Sequence, residues 1–204
     1  MALIFGNWVY HIFSIFVKAV LLIRGVRIGR KFYVQGVPEL IANGKTGNIV
    51  IGDNVRIMGR VQLKVRENGK IIIGDGCKLD RNTRFVAANE ATLRIKRQTN
   101  IGANSIFNCG ADVTIGEKCL IAGFVYVQSS NHGIQKGAFI KEQKHTYGKI
   151  VIGDDVWLGG HCFVNKGVTI GNGAVAGAGS IVTKDVPEYA VVVGNPASVL
   201  RYRQ

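Results

Sequence analysis

Only three prolines interrupt 204 residues, and Asp and Glu total 13 against 26 Lys and Arg. So little proline beside 27 glycines suits a fold of many corners and few irregular linkers. The shortage of acids leaves a net charge of +13 and predicts attraction to something anionic: a nucleic acid, an acidic lipid surface, or a phosphorylated or carboxylated ligand. Cysteines are few, at 77, 109, 119 and 162, and none form a C-x-x-C pair, which argues against a zinc knuckle. Cys77, Cys119 and Cys162 each follow an aliphatic residue by four positions. They read as small buried hydrophobes kept reduced, and so point to a reducing compartment. The glycine-rich A-G-A-G-S at 176–180 lacks the G-x-G-x-x-G spacing of a dinucleotide cradle.

What is present is a period of six. Ile152, Leu158, Val164, Ile170, Ala176 and Val182 hold successive slots, and a second compact residue follows four steps later at Val156, Cys162, Val168, Ala174 and Ser180. Neither a 3.6-residue helix nor an alternating strand has that spacing; a coiled β-solenoid does, each hexapeptide being one short strand and a bend. The pattern reaches back through I-G-A-N-S-I-F, I-I-I-G-D-G-C-K-L and I-V-I-G-D-N-V-R-I to about residue 26. Its phase slips between 57 and 73, between 85 and 101, and between 113 and 115, beside pieces such as R-V-Q-L-K-V-R-E-N-G-K where coil corners can lengthen. One repetitive domain over 26–204 is expected, broken by a protruding polar loop at about 128–149 that carries His132 and His145. A long excursion from a regular coil is more often functional than idle.

Residues 3–23 are nearly all apolar, and their polar members Asn7, His11, Ser14 and Lys18 fall in one stripe on a helix. A helical segment over 1–25 is expected. Cations follow the apolar run instead of preceding it, unlike a signal peptide, and Lys18 with the polar stripe counts against a membrane span. Trp8, Tyr10 and the series Lys18, Arg24, Arg27, Arg30, Lys31, with no acid before Glu39, fit an interfacial anchor on anionic lipid. A helix packed on the domain or on a neighbouring subunit is the other reading. The location expected is cytoplasmic, peripheral on the inner face of the membrane.

The hexapeptide rows, the histidine-bearing loop and the ending V-T-K-D-V-P…G-N-P-A together resemble the hexapeptide-repeat acyltransferases, and within them the sugar O-acetyltransferase branch. That resemblance implies a mainly β chain: a left-handed parallel β-helix with an N-terminal α-helix and a short C-terminal extension. It also implies a homotrimer, acetyl-CoA held between adjacent prisms, a saccharide acceptor from a surface glycan or its lipid-linked precursor, and neither metal nor nucleic acid. By the same correspondence His132 in S-S-N-H-G is the general base. A sugar hydroxyl is a poor nucleophile at neutral pH, and imidazole can take its proton as attack proceeds. Trp157, Gly160, Ala178, Thr183 and Lys184 match positions that contact CoA, and Lys184 with Arg201 can neutralise its phosphates. Asn108 is the candidate for an acceptor contact. His145 is expected at a solvent-facing rim and His161 in a structural or groove-lining position. Asn131 and Ser198 depart from the family's pattern, which often has an acid or glycine at the first and a base at the second. The three-histidine zinc pattern of the γ-type carbonic anhydrases, relatives of the same fold, is not matched. Competing readings are a small-molecule acetyltransferase acting on a free sugar, serine or an antibiotic, and a non-catalytic solenoid binding module. A nucleotide-sugar N-acetyltransferase is less compatible, because it usually carries an α/β domain for which this chain has no room.

Overall fold

The computed structural model describes residues 8–204. Its strands form three parallel sheets that are the faces of a prism. The six-residue slots explain the shape: residues 152, 158 and 164 lie on faces one, two and three, and 170, 176 and 182 stack on them one turn later. The chain is thus the parallel β-solenoid expected of a left-handed β-helix, in about seven turns. Inward side chains stack in columns. On face one Ile51, Ile73, Ile95, Ile115, Ile152 and Ile170 follow one another, all buried. Fully burying such a side chain is worth about 1.5–3 kcal/mol, so every hexapeptide adds to one continuous core. On face three the column contains Phe85 and Phe107, whose rings stack at 5.2 Å.

The residue after each I-G ties one turn to another. The Asp53 carboxylate accepts the Arg30 backbone N–H at 2.7 Å, Asp75 accepts that of Asp53 at 2.7 Å, and Asp154 accepts that of Glu117 at 2.8 Å. The Glu117 N–H, helped by Lys96, holds the Asp154 carboxyl below the usual carboxylate range. The corners use left-handed backbone: Asn54, Asp155 and Gly173 have φ of 58°, 55° and 64°, where asparagine and glycine cost least. All four cysteines are free and buried. Burial pushes the Cys77 thiol up to about 11 and Cys109 further in the same direction, so both behave as hydrophobes.

The phase slips have a structural cause. Ile51, Ile73 and Ile95 stack at intervals of 22 residues, whereas Ile152 and Ile170 stack at 18. The extra residues lengthen face three, where Glu39–Gly44 and Gln62–Glu67 are six-residue strands. The loop leaves the coil as an antiparallel hairpin, Ser130–His132 against His145–Tyr147. Its tip is closed by the Gln143 side chain, which accepts the Gln135 N–H at 2.7 Å and donates to the carbonyls of Gln135 and Ala138. At the C-terminus Ala190–Gly194 and Ala197–Tyr202 add an antiparallel pair to face two.

The helix α1 spans Trp8–Ile23; of the segment expected to be helical, residues 1–7 lie outside the described residues, and Arg24 and Gly25 form a turn. Its polar stripe faces the solenoid. Ser14 Oγ accepts the Val34 N–H at 2.8 Å, Lys18 donates to the Gly29 carbonyl, and the His11 ring meets Tyr33 edge-on at 5.2 Å. With buried Val17 and Leu21, these groups close the open end of the coil and satisfy backbone that has no further strand to pair with. The opposite face, with Trp8, Ile12, Ile15, Phe16 and Ile23, is exposed. Among the described residues no helix is long and apolar enough to cross a membrane.

Candidate active site

The hairpin brings two histidines together. His132 and His145 are cross-strand partners with ring centroids 4.2 Å apart, although 13 residues separate them in the chain. Both are exposed. His132 stands with Tyr126, Phe163 and Ile134 around a cleft of about 510 Å³ on face three. The floor of that cleft is a polar row: Asn108 Nδ2 donates to Tyr126 Oη at 2.6 Å and to Gln128 Oε1 at 3.2 Å, and Gln128 Nε2 donates to the Ser130 carbonyl at 2.7 Å. Asn108 therefore shares a cleft with His132. Asn131, beside His132, reaches Asn165 Oδ1 at 3.4 Å.

The residues matched to CoA contacts lie on three parts of the prism. Trp157 and Arg201 line a cleft of about 530 Å³ on face two, walled by Leu120 and Val175 and bordered by Lys118 and Arg203. Arg203 is held there by Asp155 at 2.9 Å and the Gly173 carbonyl at 2.8 Å, whereas Arg201 forms no ion pair among the described residues. Gly160 and Ala178 lie on successive turns at the corner between faces two and three, where the Gly179 N–H donates to the Gly160 carbonyl at 2.8 Å. The turn is tight: a Cβ on Gly159 would sit 2.6 Å from the Ala178 nitrogen. His161 occupies the same corner with φ of 60°, its ring stacked on Phe124 at 4.8 Å. Thr183 and Lys184 are exposed after Ile181–Val182, at the turn leaving face three. A single protomer does not gather all six residues into one cleft.

A repeat profile described as "Hexapeptide repeat of succinyl-transferase" matches residues 93–129 and 149–184, the coils on either side of the hairpin. A protein named probable acetyltransferase from Mycobacterium tuberculosis is 31% identical over 169 residues, 82% of this chain and 53% of that protein. This chain belongs to the hexapeptide-repeat acyltransferase family. Galactoside O-acetyltransferase of Escherichia coli is 43% identical over 89 residues, covering 44% of this chain and 43% of the enzyme. This hexapeptide-repeat chain thus spans about half the length of the curated relatives it matches. Among solved structures, an N-acyltransferase from Bacillus cereus in complex with dTDP and 3-hydroxybutyryl-CoA superposes with a TM-score of 0.64 at 20% identity, over 92% of this chain and 88% of that one. At that identity the likeness speaks to fold.

Two features of this hexapeptide-repeat site escape sequence reading. The first is that His145, exposed as expected of a rim residue, is the cross-strand partner of His132. Its antiparallel pairing depends on where the hairpin turns, and no Asn-Gly or Asp-Gly signal marks that place. The second is a row of cations, Lys64, Arg66 and Arg84, lining a further cleft beside His145.

Proposed function

We propose that this chain is an acetyl-CoA-dependent O-acetyltransferase acting on a sugar hydroxyl of a surface glycan or its lipid-linked precursor, with His132 as general base. The observation that carries the reading is the placement of His132 at the edge of an open cleft with a floor of hydrogen-bonding side chains, Asn108, Tyr126 and Gln128. Such a floor suits a polyhydroxylated acceptor, and an accessible imidazole suits removal of its proton. When bound, acetyl-CoA supplies an activated acetyl group whose leaving group is a thiolate. His132 accepts the hydroxyl proton as the C–O bond forms and returns it to the departing sulfur. No thiol is placed as the nucleophile of an acyl-enzyme, because all four cysteines are buried. Trp157 and the apolar wall of the face-two cleft suit an extended pantetheine, and Arg201 and Lys184 suit phosphate. The assay is acceptor-dependent release of CoA thiol with oligosaccharides, free sugars, serine and an aminoglycoside. Oligosaccharides should drive release. Release driven by serine or the aminoglycoside alone would overturn the glycan assignment.

The spread of the CoA-matched residues supports a homotrimer, in which face two of one copy and the turn at Lys184 of the next share a groove. Leu120, Trp157, Val199 and Leu200 are exposed on face two and available to cover one another's copies.

The outward face of α1 is assigned to an anionic membrane surface. Trp8, Ile12, Ile15, Phe16 and Ile23 are exposed, while Arg24 after the helix and Arg27 and Lys31 in the first coil form no ion pair among the described residues. Each cation near an anionic leaflet contributes about 1 kcal/mol, and the apolar stripe adds burial. The protein should sediment with vesicles of equimolar phosphatidylglycerol and phosphatidylcholine, and the full-length variant with Ile12→Ser, Phe16→Ser and Ile23→Ser should stay in the supernatant. If the triple variant instead breaks an oligomer and the wild type ignores vesicles, the face packs against protein.

A further inference from the structure

Face three carries a second cleft that the catalytic reading does not use. It encloses about 320 Å³ between the hairpin and the wide early coils, and its lining includes Lys64, Arg66 and Arg84 on one side and His145 and Tyr147 on the other. Asn108, Gln128 and Ser130 line both this cleft and the one at His132, so the two adjoin along a shared polar row. Strand register makes the row straight. Lys64 stacks on Val86, Val86 on Asn108, and Asn108 on Gln128. At about 4.8 Å per strand the column runs about 14 Å, long enough for more than one sugar ring.

The charges on and beside this column are unbalanced. No Asp or Glu lines either cleft, and Lys64 and Arg84 form no ion pair among the described residues. Of the nearby acids, Glu39 accepts from Arg60 at 2.8 Å and Gln62 at 3.2 Å, and Glu67 accepts the Asn89 N–H at 2.9 Å and offsets Arg66 alone, at 3.3 Å, which leaves Lys64 and Arg84 uncompensated. The strand pattern accounts for the arrangement. In Q-L-K-V-R, Leu63 and Val65 point to the core and are buried, which turns Gln62, Lys64 and Arg66 outward. A neutral acceptor would have no use for this row, whereas an anion lying along it would relieve the mutual repulsion of its cations.

We infer that the acceptor is an acidic saccharide, laid along face three with carboxylate or phosphodiester groups on Lys64, Arg66 and Arg84 and the residue to be acetylated at His132. The direction of the chain rests on the proposed role of His132; the charge preference does not. The test is therefore a binding measurement without acetyl donor. Calorimetry at low and at 0.5 M salt would compare a galacturonate hexamer (carboxylate), a glycerol phosphate hexamer (phosphodiester) and maltohexaose (neutral). At least one acidic hexamer should bind about tenfold or more tightly than maltohexaose at low salt, with most of the difference lost at high salt. The winning arm distinguishes carboxylate from phosphodiester. Lys64→Ser with Arg84→Ser, both on outward positions, should remove that preference, while Lys70→Ser with Arg94→Ser on face one should leave it intact. Equal binding of all three hexamers, or equal losses in the two double variants, would overturn the inference and reduce the row to general surface charge. Turnover is not read, so a wrong assignment of the base would leave these outcomes unchanged.

Discussion

His132→Ala should lower acetyl transfer by about 10²–10⁴-fold, the usual contribution of a positioned general base, with the fold and acetyl-CoA affinity intact. The side chain is exposed on a hairpin outside the buried columns, so its removal leaves no cavity in the core. The nearness of His145, at 4.2 Å between ring centroids, makes the comparison sharper. His145→Ala should cost less, because that ring lines the cationic cleft and not the Asn108–Tyr126–Phe163 cleft at His132. Thiol release by both variants, at saturating and subsaturating acceptor, separates the roles: His132→Ala falls chiefly in kcat, His145→Ala chiefly through KM. A His132→Ala enzyme with more than about half of wild-type turnover would sink the assignment.

Arg201→Ala should weaken acetyl-CoA binding by about 5- to 150-fold, the worth of one or two charge-assisted hydrogen bonds to phosphate, and Lys184→Ala should act similarly. If one of them holds the 3′-phosphate, its substitution should matter less for the dephospho-CoA thioester. The two residues lie on different parts of one prism, which gives a further result. If neighbouring copies share the groove, oligomers mixed from Arg201→Ala and Lys184→Ala protomers should regain some full-affinity sites that neither variant has alone. Wild-type affinity in both single variants would place the CoA groove elsewhere.

The solenoid was legible because a period of six constrains every buried column at once: misplacing Leu158 would misplace Ala176, stacked on it one turn later. The slips were legible as positions, but their cause, the longer strands of face three, needed the register of Gln62–Glu67 against Arg84–Ala87. The helix was read correctly as a helix with one polar stripe, yet the sequence could not say that the stripe faces inward. That orientation follows from the unpaired Val34 and Gly29 backbone groups at the coil's end, which exist only once the coil is built. At the site, His132 and Asn108 were reached through family resemblance. Lys64 and Arg84 are illegible as a pair because they lie 20 residues apart and become neighbours only when two turns stack. Alternation in R-V-Q-L-K-V-R was the available signal, and within a lengthened coil it marks one outward face.

The most direct measurement uses acetyl-CoA carrying an isotopic label in its acetyl group, an oligosaccharide acceptor, and mass spectrometry of the acceptor after the reaction. Wild-type protein should place the label on the saccharide in an ester that mild alkali removes, and His132→Ala should place little there in the same time. Label held in an alkali-stable amide, or an acceptor left unlabelled while acetyl-CoA binds normally, would contradict an O-acetyltransferase that uses His132 as its base.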